Sequence, residues 1–167
     1  MNFAKLDKIV REQEALLRFD HFTSRDAWDL GKLMAEEAMA ESIDIAICIR
    51  KLNGYILFQY GPDGTSLNNQ AWMQRKFNTV THTERSSLGM YISSKITGKD
   101  VSDHGLDSNA YVFCGGGFPV YVQGVGTVAV VTVSNLPHVE DHRFLTNCLA
   151  KYLNQDNVPV IDPAEVD

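Results

Sequence analysis

Residues 114–134 read CGGGFPVYVQGVGTVAVVTVS, and this stretch decides the fold more than any other. After three consecutive glycines, Pro119–Val122 has the character of a strand, and Gly124-Val125-Gly126 turns the chain back. The returning segment, Thr127–Val133, is apolar or nearly so on both faces, which is typical of a central strand covered by helices on each side. We therefore predict a hairpin within a sheet that lies between helical layers.

Two more strands are predicted upstream of this hairpin. Over residues 43–50 isoleucines alternate with Asp, Ala, Cys and Arg, which is the period-two pattern of a strand with two different faces. Asn53-Gly54 then predicts a tight turn into a strand over Tyr55–Tyr60, because both turn residues accept a positive φ. A fifth, short strand is expected at Tyr111–Phe113. Hairpins rather than helical crossovers join the strands, so we predict an antiparallel sheet in an α+β protein.

Helices are predicted where apolar residues recur at helical spacing. Thr23 and Asp26 have the spacing of a capping box, Ser66 is placed to cap a later helix, and Pro137 suits the first turn of the last one. The helix after Thr23 is expected to turn Trp28 inward with its other apolar residues. The predicted helices span about Phe3–Leu17, Thr23–Ser42, Ser66–Thr81, Ser87–Lys95 and Pro137–Leu153.

The remaining segments are assigned from composition. The polar stretch Thr97–Asn109 is long for a loop, which indicates either a short helical turn or a functional segment. Residues 1–155 are predicted to form a single domain whose first 20 residues hold the N-terminal helix, and residues 156–167, rich in Pro and Asp, a C-terminal tail. The methionines are interpreted as core filler. These are Met34, Met39, Met73 and Met90.

Charge and cysteine content narrow the function classes. A net charge of -6 argues against nucleic acid or an anionic membrane as the main partner, because both attract basic surfaces. Met1–Phe19 is amphipathic and charged, without the apolar run of an export signal. The three cysteines are widely spaced and form no CxxC pair. We expect a soluble cytoplasmic protein with free thiols and no metal site.

Short motifs in a fixed order carry a resemblance to a known family. Residues 115–120, 124–126 and 131–134 resemble the GlcG/HbpS-like superfamily, whose members carry a GG-x-P-[IV] strand, a G-x-VG turn and a V-S-G strand end. Residues 64–76, together with Asp26-Ala27-Trp28 and residues 136–142, resemble a short bacterial and fungal branch often labelled a heme-degrading domain family. The resemblance covers nearly all of the chain after about residue 20.

This resemblance implies a profilin-like fold, with a five-stranded antiparallel sheet between helical layers (α/β/α). It also implies assembly into dimers or larger rings, and it suggests heme or another tetrapyrrole as the ligand. The sequence departs from the family pattern at two positions. Cys114 stands where relatives usually have His, and Asn135 stands where they usually have Gly.

The best candidate binding cluster lies on the helix that follows Ser66. Trp72 and Lys76 are separated by one helical turn and Arg75 lies beside them, so an aromatic plane is placed next to two cations. Such a set suits a planar ligand that carries carboxylates or phosphates. The alternative is that Trp72 belongs to the core or to a subunit interface and that the cations form a solvated edge.

Two backbone and hydroxyl features are candidates for the same pocket. The amides of Gly115, Gly116 and Gly117 are placed either to cradle an anion or to let another chain segment pack closely. A strand rather than a helix follows these glycines, which excludes a P-loop or Rossmann site. Ser86 and Ser87 offer hydroxyls to the pocket, with Ser87 the alternative N-cap of its helix.

The histidines are interpreted as surface or capping residues. His138 and His142 have zinc-compatible spacing but lack the glutamate of an HExxH motif. Ser134 with Asp141 and His142 does not make a hydrolase triad, because adjacent helix positions point about 100° apart and no G-x-S-x-G elbow is present.

The sequence alone leaves three functions open. The leading hypothesis is a non-catalytic or weakly catalytic homo-oligomer, a dimer or higher ring, that binds a small anionic planar ligand. The second is an enzyme that acts on a small metabolite in the same pocket, with His104 or Cys114 as acid or base. The third is a structural interaction module without a ligand.

Overall fold

The computed structural model describes residues 2–166 and consists of helices packed on both sides of one sheet. Each predicted helix is present within a few residues of its expected bounds. The helices are α1 (Phe3–Leu16), α2 (Ser24–Ala40), α3 (Leu67–Thr83), α4 (Ser87–Thr97) and α5 (His138–Tyr152). The strands are β1 (Ala46–Lys51), β2 (Ile56–Tyr60), β3 (Gly117–Val122) and β4 (Gly126–Ser134).

The sheet is antiparallel with the strand order β2-β1-β4-β3. The hairpin of residues 114–134 supplies β3 and β4, and β4 lies inside the sheet with both faces covered, as predicted. The expected fifth strand at Tyr111–Phe113 is wrong: over the described residues the sheet has four strands. The backbone there bonds to a helix instead, since the Val112 amide donates to Thr79 Oγ1 at 3.1 Å and that hydroxyl donates to the Val112 carbonyl at 2.8 Å.

The two faces of β1 pack against different helices, which confirms the alternation predicted over residues 43–50. Ile47 and Ile49 face the main core formed with α2 and α5, whereas Cys48 contacts Met73 of α3. The sheet is therefore the middle of three layers. Apart from the main core, α1 packs against α4 through a smaller apolar cluster, which includes Leu6, Val10, Leu88 and Ile92.

Side-chain caps set most of the helix starts. Thr23 and Asp26 form the predicted reciprocal capping box, and Ser66 forms another with Asn69. Pro137 is the N-cap of α5 rather than a residue of its first turn. The segment Thr97–Asn109 contains a short 3-10 turn at Ser102–His104, the first of its two predicted alternatives.

Two apolar residues predicted to be buried are exposed instead. Trp28 and Met39 both lie on the outer surface of α2. The reason is the close approach of α2 to β2, where a Cβ on Gly31 would come within 2.3 Å of the Phe58 ring. This contact turns Ala27, Leu30 and Met34 toward the core and leaves Trp28 on the flank of the helix.

The residues after α5 pack against the N-terminal helix. Ile161 and Val166 are buried in the cluster with Leu6 and Val10, and the Gln13 amide donates to the Pro159 carbonyl at 2.8 Å. The Pro and Asp content of this segment did not indicate that packing.

The two edges of the sheet differ. The outer edge of β3 is covered by Phe19, whose amide donates to Tyr121 O at 2.8 Å and whose carbonyl accepts from Gln123 N at 2.9 Å. The outer edge of β2 pairs with no other strand over residues 2–166. None of the helices in that range combines the length and the apolar character needed to cross a bilayer.

Candidate functional site

A pocket of about 370 Å³ opens where α3, the glycine segment before β3, the end of β4 and the start of α5 meet. Its volume lies at the lower end of the range for small-molecule sites. Three of the residues predicted to bind a ligand or to act as acid or base line it, namely Trp72, Lys76 and Cys114. The other lining residues are Asn68, Asn69, Ser134, Asn135, Leu136, His138 and Asp141.

Lys76 forms the buried floor of this pocket. Its ammonium nitrogen donates to Asp141 Oδ2 at 2.8 Å and to the Val133 carbonyl at 2.9 Å, and both charged side chains are nearly inaccessible to solvent. A buried cation of this kind is held by its carboxylate partner, and removing either one leaves an uncompensated charge. The pair thus joins α3 to α5 beneath the pocket, with Lys76 committed to Asp141.

Asp141 also holds the segment that leads into α5. Its Oδ1 accepts from the Leu136 amide at 3.0 Å. Burial raises the pKa of Asp141 above its ordinary value, and the charge and hydrogen bond of Lys76 offset part of that rise. The carboxyl group therefore fixes one wall of the pocket as well as its floor.

Trp72 lines the pocket, and Arg75 contacts the Trp72 ring without lining the pocket itself. The guanidinium carbon of Arg75 lies 4.6 Å from the centre of the Trp72 ring, and Arg75 donates to the Ser108 carbonyl at 2.9 Å. Arg75 Nε is buried and has no hydrogen-bond partner within residues 2–166. Trp72 keeps 37% of its surface exposed. The cation and the aromatic plane expected from the sequence are thus in contact.

The three glycines allow chain segments to approach one another closely. A Cβ on Gly115 would lie 2.1 Å from the His138 carbonyl oxygen, and one on Gly116 would lie 2.6 Å from Lys76 Nζ. Gly116 has a φ of 109°. The Gly115 amide donates to His138 Nδ1 at 3.1 Å and the Gly117 amide donates to Ser87 Oγ at 2.9 Å. The amides of Gly115 and Gly117 are thus bonded within the protein, as expected if the glycines serve the close packing of chain segments rather than the binding of an anion.

Cys114 and His138 are the nucleophilic and basic side chains that line the pocket. Burial raises the pKa of the Cys114 thiol, and the cations Lys76 and Arg75 lower it only in part. His138 stacks edge-on against Tyr91, with ring centres 4.7 Å apart. Since its Nδ1 accepts from Gly115, the ring proton of neutral His138 lies on Nε2.

Besides Arg75 and the three glycines, two more predicted site residues are absent from the lining of this pocket. His104 is exposed and stacks edge-on against Phe113, with ring centres 5.5 Å apart. Ser86, rather than Ser87, is the N-cap of α4, and its hydroxyl donates to Glu14 of α1 at 2.7 Å. Neither residue lines the pocket.

His142 is fully buried, which corrects its interpretation as a surface or capping residue. Its Nε2 lies 2.8 Å from Gln13 Oε1, while the Gln13 amide nitrogen donates to Pro159 O. That orientation makes Gln13 Oε1 an acceptor, so His142 carries its proton on Nε2. Burial, with a smaller effect of His138, lowers the pKa of His142 to about 3. His142 is therefore a neutral link between α1 and α5.

Asn69, Ser134 and Asn135 form a polar wall of the pocket that was not predicted from the sequence. The Asn69 amide donates to Ser134 Oγ at 3.3 Å and to Asn135 Oδ1 at 3.2 Å. Asn135 has a φ of 144°, a region that favours glycine, at the position where relatives were expected to carry Gly. That departure was the available signal, because it marked a strained backbone position beside the strand end.

A larger cleft of about 640 Å³ lies between α2 and α5. Its rim carries the surface ion pair of Lys151 with Glu37 and further exposed charges. We assign the candidate site to the smaller of these two pockets, because it gathers buried polar groups from four segments that are distant in sequence. Over residues 2–166, no three His, Cys, Asp or Glu side chains lie close enough together to hold a metal ion.

Comparison with known proteins places this architecture in a family. The family model described as haem degrading protein HbpS-like matches residues 22–150, which include the sheet and every residue that lines the pocket. The chain belongs to the HbpS-like family. The resemblance inferred from the glycine motifs is thereby confirmed.

Relatives of similar length extend the match over most of the chain. A UPF0303 protein of Rhizobium etli is 39% identical over 147 residues, which are 88% of this chain and 89% of that protein. A UPF0303 protein of Streptomyces coelicolor is 40% identical over 148 residues, covering 87% and 92% of the two chains.

Solved structures share this fold. The crystal structure of Ybr137w protein superposes with a TM-score of 0.79 at 28% identity and covers 89% of each chain. The crystal structure of a PduOC:heme complex superposes with a TM-score of 0.60 at 14% identity, over 84% of this chain and 99% of the other. At that identity the second likeness concerns the fold alone.

Proposed function

We propose that this protein binds a small, planar, anionic ligand in the pocket beside Trp72 and Arg75, without an essential catalytic step, and does so as a homo-oligomer. The observation that carries the ligand class is the buried Arg75 Nε, which has no hydrogen-bond partner within residues 2–166. A guanidinium donor left unpaired in a buried position costs free energy unless a ligand accepts from it. A carboxylate is the acceptor that suits a guanidinium best.

The ring of Trp72 supplies the second half of the proposal. It borders the pocket and stays partly exposed, so a flat apolar molecule has an aromatic face to pack against. Lys76 contributes through the electrostatic field of its positive charge rather than by direct contact, since both of its identified contacts are protein oxygens. Asn68 adds an amide donor and acceptor along the same wall, where the Asn69 amide is already bonded to Ser134 and Asn135.

A carboxylated tetrapyrrole, heme included, is the candidate that the family description and the PduOC:heme complex suggest. Arg75 and Trp72 fit the carboxylates and the flat macrocycle of such a molecule. Cys114 does not fit as an iron ligand, because its raised pKa keeps the thiol protonated at neutral pH, whereas ligation requires the thiolate. We therefore expect recognition of the ring and its carboxylates, with no contribution from a Cys114–iron bond.

An enzyme that uses the same pocket is less well supported. His104 does not line the pocket, and a protonated, half-buried Cys114 is a poor base at neutral pH.

Parallel titrations with hemin and with metal-free protoporphyrin test the proposal. We expect saturable spectral changes with both compounds, because the proposed contacts do not involve the metal. Replacing Arg75 by Ala is expected to weaken both affinities about tenfold, the effect of losing a charge-assisted hydrogen bond. The Trp72→Ala variant should weaken both as well.

Arg18→Ala is the matched control, because Arg18 also lies over an aromatic ring, that of Tyr121, at 4.1 Å. Its affinities should equal those of the unmodified protein. The proposal fails if neither compound saturates, or if Arg75→Ala binds both as tightly as Arg18→Ala does.

A further inference from the structure

The outer flank of α2 carries an ordered stripe of exposed side chains. Trp28 and Met39 are 54% and 58% exposed. Between them, Lys32 and Glu36 form a 3.7 Å ion pair with side chains 58% and 64% exposed. The steps of four, four and three residues place all four on one stripe of the helix. Single exposed apolar residues are ordinary on protein surfaces, but two large ones that flank an exposed ion pair on one stripe form a patterned surface.

This stripe faces away from α5 and borders the edge of the sheet. The opposite flank of α2 contacts α5, where Asp26 accepts from the Tyr152 hydroxyl at 3.1 Å and Glu37 pairs with Lys151. Trp28 packs edge-on against Phe58 of β2, with ring centres 6.0 Å apart. The stripe therefore lies directly beside the unpaired edge of β2.

The β2 strand lacks two common barriers to edge-to-edge pairing. Ile56–Tyr60 contains no charged residue and no proline, which are two of the features that block edge-to-edge association. The opposite edge of the sheet differs, because Phe19 bridges to β3 there. Such an edge is suited to accept another strand.

The stripe is complementary to itself. If two copies of α2 meet antiparallel across a two-fold axis, Lys32 of one copy faces Glu36 of the other and Trp28 faces Met39. A two-fold axis perpendicular to the sheet also places two β2 strands antiparallel at their open edges. One symmetry operation thus pairs opposite charges, apolar side chains and unpaired backbone groups together.

We propose that a second copy of this chain docks here, through α2 against α2 and β2 against β2. The inference rests on the homo-oligomer part of the proposed function and specifies the surface that forms it. It is independent of the ligand, because neither the stripe nor Ile56–Tyr60 contributes to the pocket lining.

Charge reversal at Lys32 and Glu36 tests the geometry. In Lys32→Glu or Glu36→Lys alone, like charges face each other across the axis, and we expect self-association, measured by analytical ultracentrifugation, to weaken about tenfold or more. In the double variant Lys32→Glu/Glu36→Lys the pairs re-form with opposite polarity, and the association constant should recover. Lys8→Glu, an equal charge change at an exposed position of α1, is the control and should leave association unchanged.

The outcomes separate this inference from the proposed function. If the unmodified protein associates and the single reversals behave like Lys8→Glu, the docking surface is wrong while the homo-oligomer stands. If the unmodified protein is monomeric, both statements about assembly fail. The hemin and protoporphyrin titrations are unaffected in either case, because they report on the pocket alone.

Discussion

The ammonium nitrogen of Lys76 lies 2.8 Å from Asp141 Oδ2, and both side chains are almost completely buried beneath the pocket. This pair connects the third helix to the last one, and it gives Lys76 a structural partner where the sequence had indicated a ligand contact. The energetic consequence is an asymmetry: loss of one partner leaves a buried charge, whereas loss of both does not.

The first prediction concerns that asymmetry. Lys76→Met should lower the free energy of unfolding by about 3–5 kcal/mol, because it strands the Asp141 carboxylate in a buried position. Lys76→Met combined with Asp141→Asn should lose less than the sum of the two single changes, since an amide can still accept from Leu136 without carrying charge. Urea denaturation of the four proteins measures the coupling.

Lys5→Met serves as the comparison for this cycle. Lys5 pairs with Glu165 at 2.9 Å, but both side chains are substantially exposed, so its loss should change stability by no more than about 1 kcal/mol. Equal effects of Lys5→Met and Lys76→Met would contradict the role assigned to the buried pair.

A second prediction follows from the buried His142. Its pKa in the folded protein is about 3, below the ordinary value of 6.5. At pH values between these two, the unfolded state therefore binds more protons than the folded state. The stabilisation from neutral His142 is therefore complete above about pH 6.5 and is lost as the pH falls toward 3. Over that window stability should fall by up to about 1.4 kcal/mol per pH unit from this group.

The His142→Gln variant isolates this effect, because glutamine has no proton to bind in the window. Its unfolding free energy should depend less on pH than that of the unmodified protein between about pH 4 and 6. Asp141, whose pKa is raised in the folded state, acts in the opposite sense but is present in both proteins and cancels in the difference. Parallel pH curves for the two proteins would show that His142 is not the titrating group.

A third prediction addresses the reactivity of Cys114. Burial raises its pKa, so little thiolate exists at neutral pH and alkylation by iodoacetamide should be slow. Cys48 and Cys148 are buried more completely, and burial raises their pKa values as well, that of Cys148 to about 12. Mass spectrometry of the native protein should therefore find Cys114 alkylated first, at a rate that increases with pH.

The matched comparison is the same protein in denaturant, where all three thiols should react rapidly and at similar rates. Rapid modification of native Cys114 at neutral pH would instead indicate an activated thiolate, and it would favour the enzyme hypothesis over the binding function proposed above.

Local patterns in the sequence predicted the helical and sheet layers of the fold, but not the structure of every segment. The alternation over residues 43–50 and the apolar run Thr127–Val133 were sufficient because a strand exposes its two faces at period two. Tyr111–Phe113 has similar residues and is not a strand, since the Thr79 hydroxyl takes both hydrogen bonds of Val112. That competition depends on a helix more than thirty residues away, which no local pattern reports.

The candidate site was predictable to a similar extent. Trp72 and Arg75 were placed correctly beside each other because both lie on one helix. Lys76 looked equivalent to Arg75 in the sequence, but its carboxylate partner is 65 residues away. Asn69 and Asn135 carry no pattern that links them, so the polar wall they form required the tertiary structure.

The last prediction tests the segment after α5, which composition alone marked as a tail. Ile161 is buried against the first and fourth helices, in one cluster with Leu6 and Leu88. Ile161→Ala should lower the free energy of unfolding by about 2–5 kcal/mol, the range for removing a large aliphatic side chain from a core. Val160, its neighbour, is 56% exposed, so Val160→Ala should change stability by no more than about 0.5 kcal/mol. Thermal and urea denaturation of the two variants distinguish a docked segment from a loose one, because a loose segment would leave both variants as stable as the unmodified protein.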